Sequence, residues 1–482
     1  MIYSPDFHSF NHKFGVTLWC GAKQHNGGKQ HNESLTYKTY GHIKSGRCTM
    51  LQMAHHDFPF DLRLRGFAVK IVSRIALAAA VALVSTSAFA QTEERLRQGV
   101  QDRDRPAFQA VGVRLGSFLV YPAVDLSVVF DDNLFADATD TEDFYFRVSP
   151  EVRVESNFPR HALNFQADLN NDVYFDESSE DRTDFGVRST GRLDITEGTS
   201  FRGDVLFEER REDRGSPDSV GAAADPVEFT RFQGTGELSY RPGRGRLSVG
   251  GTYQVLDFDD VALIGGGTQN NDDRDRDVYS VFGRVGYEVS PGYEVFALGL
   301  YGQTDYDDPL DDNGVNRDSD LYTVEGGARF ELTNVIAGEV SAGYTSEDFD
   351  DVTLQTVEGI AANADVEWYV TRLTTILFGA SRRVQETTIA GASGYINTVI
   401  DVGVDHELMR NVILSAGFRY DNRDYEGITR EDDQYEADVR AIYLLNRNLS
   451  LAAEYRYETR ESTAPTEDYT RNVVGLTLRA QL

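Results

Sequence analysis

From Pro122 to the final residue, apolar and polar positions alternate with period two. The last stretch, Asn472–Leu482, is the plainest case. Val474, Leu476, Leu478, Ala480 and Leu482 alternate with Gly475, Thr477, Arg479 and Gln481. Such alternation predicts a half-buried β-strand. Tyr322, Val324, Gly326, Ala328 and Phe330 repeat the pattern against Thr323, Glu325, Gly327 and Arg329. Leu449, Leu451, Ala453, Tyr455 and Tyr457 do the same against Ser450, Glu454 and Arg456. About eighteen segments of this kind follow one another, and none has a convincing helical period. Pro122 is expected to interrupt the ladder ahead of the first of them.

The connections between the segments alternate in length. Short ones, such as Glu197–Thr199, Ser290–Gly292, Val370–Arg372 and Met409–Asn411, are turn-type stretches built around Gly, Pro, Asn or Thr. Long ones come between them, among them Arg211–Val227, Asp257–Arg276, Tyr306–Ser319, Glu386–Gly394 and Asp421–Asp432. Nine long and eight short connections suit eighteen antiparallel strands with both chain ends on the short-turn side. The pattern predicts an all-β fold, a closed antiparallel transmembrane β-barrel with short periplasmic turns and long acidic extracellular loops. A soluble sandwich or propeller has no reason to alternate its loop lengths. The apolar faces carry Val, Leu, Ala, Gly and Phe centrally and Tyr or Phe towards their ends, as a lipid-facing band with aromatic girdles would.

Composition divides the 482-residue chain near residue 90. Both cysteines, Cys20 and Cys48, lie before that point, and no lysine follows Lys70. Of the net charge of −31, the part before residue 91 contributes +6, with ten Lys or Arg against four Asp or Glu, and the rest of the chain −37. An acidic, Cys-free body argues against nucleic acid as a partner. Lys70 and Arg74, the apolar run Ile75–Val84 and the small residues Ala88 and Ala90 predict a signal peptide over 68–90, cleaved before Gln91. The run is too short for a membrane-spanning helix. Residues 1–67 are expected to be an untranslated or unstructured extension, with Met53 or Val69 as alternative starts. Residues 91–121 are expected to be a periplasmic N-terminal segment, flexible over Gln91–Ala110, and 122–482 the barrel.

Several stretches resemble the outer-membrane β-barrel porins of proteobacteria. They include Gly112–Phe118 followed by Tyr121-Pro122, Asp131-Asp132-Asn133, Ser149-Pro150, Arg274–Asp277, Asp405–Leu408 with Arg410-Asn411, and Tyr443–Arg447. The resemblance spans about residues 106–482. It implies an outer-membrane location in a Gram-negative bacterium and a pore, and some relatives are linked to polysaccharide export. The partners it implies are outer-membrane lipid and lipopolysaccharide, the barrel-assembly machinery and polysaccharide-export components.

Catalysis has little to stand on. The mature chain has only His161 and His406, both beside short turns, and no nucleophile elbow, P-loop or zinc motif. No cofactor is expected. The acidic loops offer weak calcium candidates at Asp305, Asp307, Asp311 and Asp312, though the sequence Asp311-Asp312-Asn313-Gly314 lacks the remaining positions of a calcium loop. Arg147, Arg153, Arg192, Arg329, Arg419, Arg440, Arg456 and Arg479 fall on the polar faces and are expected to face the lumen. Two readings are open: a cationic wall that tunes selectivity, or arginines paired with Glu151, Asp194, Glu325, Asp438 and Glu454. The expected function is a passive channel for small solutes or saccharides, against a non-conducting structural or surface-interaction barrel.

Overall fold

The computed structural model describes residues 99–332 and 335–482. The expected extension 1–67, the expected signal peptide 68–90 and residues 91–98 lie outside the described residues. Eighteen long strands form the wall: β1 Phe118–Asp131, β2 Asp143–Ser156, β3 Ala162–Tyr174, β4 Arg182–Thr196, β5 Thr199–Arg211, β6 Glu228–Tyr240, β7 Gly245–Phe258, β8 Arg276–Ser290 and β9 Tyr293–Tyr306. The second half comprises β10 Ser319–Leu332, β11 Ile336–Phe349, β12 Val357–Thr371, β13 Thr374–Glu386, β14 Gly394–Met409, β15 Val412–Glu426, β16 Glu431–Leu444, β17 Leu449–Ser462 and β18 Tyr469–Gln481. Each pairs antiparallel with its neighbours in sequence, and β18 pairs back onto β1, with Leu126 opposite Leu478 and Val128 opposite Leu476. Closure leaves no sheet edge, which a bilayer requires because it cannot hydrogen-bond a bare strand.

The outer face is apolar between two rings of aromatics. On β8 the outward residues run Tyr279, Val281, Gly283, Val285, Tyr287; on β9 they run Tyr293, Val295, Ala297, Gly299, Tyr301; on β16, Tyr435, Ala437, Val439, Ala441, Tyr443. Eight residues between girdles, at ~3.4 Å each and a tilt near 40°, span about 20 Å, close to the apolar band of such barrels. Above the upper ring the outward side chains turn acidic and accept from the tyrosines: Tyr301 donates to Asp320 (2.7 Å), Tyr420 to Asp433 (2.6 Å) and Tyr253 to Asp277 (3.1 Å). The aromatic ring sits in the apolar band and its hydroxyl reaches the polar zone.

Pro122 does not break the wall as expected. It lies within β1, opposite Val152, and its carbonyl accepts from the Leu482 N–H (2.8 Å). The β1–β18 ladder has its last pair at Ala123 and Gln481, so the proline falls past the ladder's end, where its missing N–H breaks no bond. The connection expected over Asp421–Asp432 is also corrected. Pairing continues to Asp424 and Glu431, leaving a turn of only four residues, 427–430. Above the girdle, water satisfies outward polar side chains, so a hairpin continues there without hydrophobic alternation.

The segment expected to be a flexible lead-in is instead fixed over Gly99–Gln109. Val100 is buried and donates its N–H to Thr375 Oγ1 (3.1 Å). The Gln101 amide donates to Asp405 (2.8 Å) and Ser415 (3.0 Å), and Arg103 and Arg105 both reach Glu407 (3.1 Å each). Those partners lie on the inner face near the short-turn ends of β13–β15, so the segment lies inside the lower mouth of the barrel.

Candidate functional site: the lumen and its closures

Strand parity places all eight sequence-nominated arginines on the inner face, and each has a carboxylate partner. Arg147 meets the fully buried Asp172 (2.6 Å), Arg192 meets Asp194 (2.9 Å) and Arg329 meets Glu339 (2.8 Å). Arg153 pairs with Glu155, and Arg419 with Asp401 (each 3.0 Å). Arg440 and Arg456 share Glu454, and Arg479 bridges Asp125 (2.9 Å) and Glu151 (2.5 Å) across the β18–β1 seam. A bare cationic wall is therefore excluded at these positions. Of the five carboxylates named from sequence, Glu151, Asp194 and Glu454 take an arginine, whereas Glu325 accepts from Ser341 (2.6 Å). Val474, Leu476, Leu478 and Leu482 are exposed on the outer face of the closing strand, and Ala480 shares their parity.

Sequence reading missed what closes the upper half of the lumen. The β12–β13 ladder runs only up to Ala362 and Arg382, although both strands continue, to Val357 and Glu386. Beyond that point Val384 and Ile396, on the outer parity of β13 and β14, pack against Val357 and Phe349, on the inner parity of β12 and β11. Such contact requires the top of the β13–β14 hairpin to lie inside the wall. Glu386 then meets Arg276 (2.8 Å) and Thr304 (2.5 Å) on the inner faces of β8 and β9. The connecting loop, 387–393, is clamped by the buried Arg317. Its guanidinium donates to the carbonyls of Thr387 (2.6 Å), Ala392 (3.1 Å) and Ile389 (3.4 Å), and to Asp311 (2.7 Å).

A second loop, 212–227, crosses from β5 to the far wall. Arg460 on β17 donates to the Gly215 carbonyl (3.1 Å), and Arg471 on β18 approaches Asp213 (3.7 Å). A Cβ at Gly215 would stand 2.8 Å from the Tyr469 hydroxyl, which donates to Glu458, so a larger residue there would push that side chain aside. Glu212 anchors the loop's root to Arg274 (2.7 Å), and Arg214 pairs with Glu180. The Thr387 hydroxyl donates to Asp218, joining the two loops in the mouth. One signal for the first loop exists in the sequence: 387–393 contains no charged residue, in contrast to the acidic loops around it.

Between these loops and the N-terminal segment lies a cavity of ≈ 2720 Å³, reaching from Asp102 below to Asp213 above. Twelve arginines and thirteen carboxylates border it, together with the inward-facing Tyr369 and Phe229.

The other candidates are placed elsewhere. The calcium candidates do not converge: Asp311 is occupied by Arg317 and by the N–H groups of Asn313 and Val315 (2.9 Å each). Asp305 accepts from Gln303 (3.0 Å) and Asp312 from Gln269 (3.1 Å). Among the described residues no group of three potential ligands forms. His161 accepts from the Asp194 N–H (3.2 Å) and His406 meets the Thr374 hydroxyl (3.0 Å), both beside short turns. In the loop before β8, burial pushes the Asp275 carboxyl up to about 8, against the stabilising Phe258 N–H (2.7 Å), with Asp257, Asp272 and Asp307 adding to the rise.

A closed eighteen-stranded barrel, girdled by tyrosines outside and lined with ion pairs inside, is an outer-membrane β-barrel of the porin class. Residues 105–482 match the family described as "Putative beta-barrel porin 2", and the chain belongs to that family. Similar solved structures include OpdL of Pseudomonas aeruginosa (10% identity, 76% of this chain and 99% of that one, TM-score 0.39). OccK2 (OpdF) of the same organism, in complex with glucuronate, gives 9% identity, 76% and 99% coverage and a TM-score of 0.41. A BenF-like porin from Pseudomonas fluorescens Pf-5 gives 10%, 75% and 99%, and 0.39. No curated protein matches the chain. None of these comparisons points to polysaccharide export.

Proposed function

We propose that this porin is a narrow passive channel for small polar solutes, with its passage set by the inward hairpin 387–393, the loop 212–227 and the N-terminal segment. The carrying observation is the ≈ 2720 Å³ cavity inside the wall, bordered by twenty-five charged side chains. A purely structural barrel has no need of a charged, water-accommodating interior of that size. Charged lumen groups cost little where water reaches them and act on whatever passes. The nominated arginines then act as members of ion pairs that hold their carboxylate partners in place. No step in such passage requires a catalytic group or an energy source.

A non-conducting barrel is favoured by one observation: both inward loops are held by buried charged contacts at Arg317 and Arg460. Planar-bilayer recording of the refolded protein separates the two. Resolved conductance steps support the channel; a silent bilayer from protein that is folded by heat-modifiable gel mobility refutes it. Blocking by added neutral disaccharides tests whether saccharides enter.

A further inference from the structure

Resting on the channel reading, we infer that the pore selects for cations, and that an acidic arc of the inner wall formed by β9–β15 is the path they take. Register fixes which side chains face inward, and on that face the eighteen strands carry twenty arginines against twenty-nine carboxylates. The excess is not evenly spread. On β4–β8 nine inward arginines accompany six carboxylates; on β9–β15 four accompany eleven. Ion pairing does not cancel that difference, because the charges on one arc sum at any point along the lumen within a screening length of about 8 Å.

The same division runs through the central cavity. Asp365 and Glu367 on β12 border it without an ion pair among the described residues. Asp365 accepts from the Asn363 amide (2.9 Å) and Glu367 from the Tyr369 hydroxyl. Gly379 separates Asp365 from Asp401 in one row across β12, β13 and β14, so no side chain shields one carboxylate from the other. Arginines concentrate on the β4–β8 side of the cavity, where they outnumber the carboxylates. A small cation such as an alkali ion or a primary ammonium is drawn to the acidic side, and a small anion meets guanidinium groups already committed to carboxylates. Low-dielectric walls focus such a field in a confined pore.

The test is the reversal potential of single channels under an about tenfold KCl gradient, repeated with ethylammonium replacing potassium. The expected result is a potential of the cation-selective sign with both salts. The double variant Asp365→Asn/Glu367→Gln should lower the cation-to-anion permeability ratio at least about twofold, while Arg188→Gln on the opposite arc should raise it or leave it unchanged. If the double variant fails to fold, Glu367→Gln alone gives the same reading. A reversal potential at zero or of the anion-selective sign, in a channel that conducts, overturns this inference and leaves the channel reading intact. A ratio unmoved by the acidic-arc variants overturns the assignment of the path. A silent bilayer overturns the channel reading and the selectivity with it.

Discussion

Replacing Arg317 by alanine should loosen the upper closure of the lumen. The Arg317 side chain is almost wholly buried and donates to three loop carbonyls and to Asp311. Removing one partner of a buried charge pair typically costs ~3–5 kcal/mol, because the other charge is left uncompensated. Asp311 keeps two backbone N–H donors, which retain part of its stabilisation, so a loss of about 3 kcal/mol is the reasonable figure. That loss falls on the tucked position of 387–393, since the carbonyls of Thr387, Ile389 and Ala392 lose a shared donor. The ratio of tucked to released loop should fall by roughly a hundredfold. The wall itself rests on eighteen ladders and should remain folded. The assay is single-channel recording, read for conductance and open-channel noise, with gel mobility as the folding check. Conductance and noise identical to the parent, in a barrel that is folded, would refute the clamp. Asp218→Ala, which removes the Thr387 hydroxyl contact and a charge near Arg276, should give a smaller change in the same direction, about 1 kcal/mol.

Three further outcomes are expected. Leu478→Arg places a charge on the lipid face of the closing strand opposite Leu126 and should cost about 2–4 kcal/mol in unfolding from bilayers; a parent-like stability would count against the assigned face. Glu407→Gln should release Arg103 and Arg105, so that proteolysis at the N-terminal segment accelerates in intact barrels and the lower mouth conducts more; unchanged cleavage would show that the segment is held otherwise. The Asp275 carboxyl is raised in the folded loop above its unfolded value, so its contribution to loop stability is fully present in acid, below about pH 4, and is lost as pH rises through about 8. Hydrogen exchange of the loop 259–275 should accelerate, beyond the intrinsic rate, over that window, and Asp275→Asn should flatten the dependence.

The architecture was readable in the chain because its cause is local. A bilayer imposes apolar side chains at every second position for about ten residues, and turn residues at each end. Strand number, the short-turn side, the inward parity of Arg147 to Arg479 and the outward parity of Val474 to Leu482 all follow from that repeat. Local pattern fails where the membrane no longer acts. The turn at 427–430 was masked by hydrophilic ladder residues that lie above the girdle. Gly99–Gln109, polar and charged, reads as a flexible segment until Asp405 and Glu407 supply partners some three hundred residues away.

What the sequence determined by itself is therefore the wall: its strands, its two faces and the side on which its short turns lie. Only tertiary structure decided what fills the wall. Whether 212–227 and 387–393 extend into water or fold into the mouth depends on Arg317, Arg460 and Arg276, each of which binds a segment distant in the chain. The division of inward charge between β4–β8 and β9–β15 becomes an arc only when β18 closes on β1 and places every strand around one lumen. Periodicity is a property of neighbours along the chain, whereas a field and a constriction are sums over residues that closure brings together.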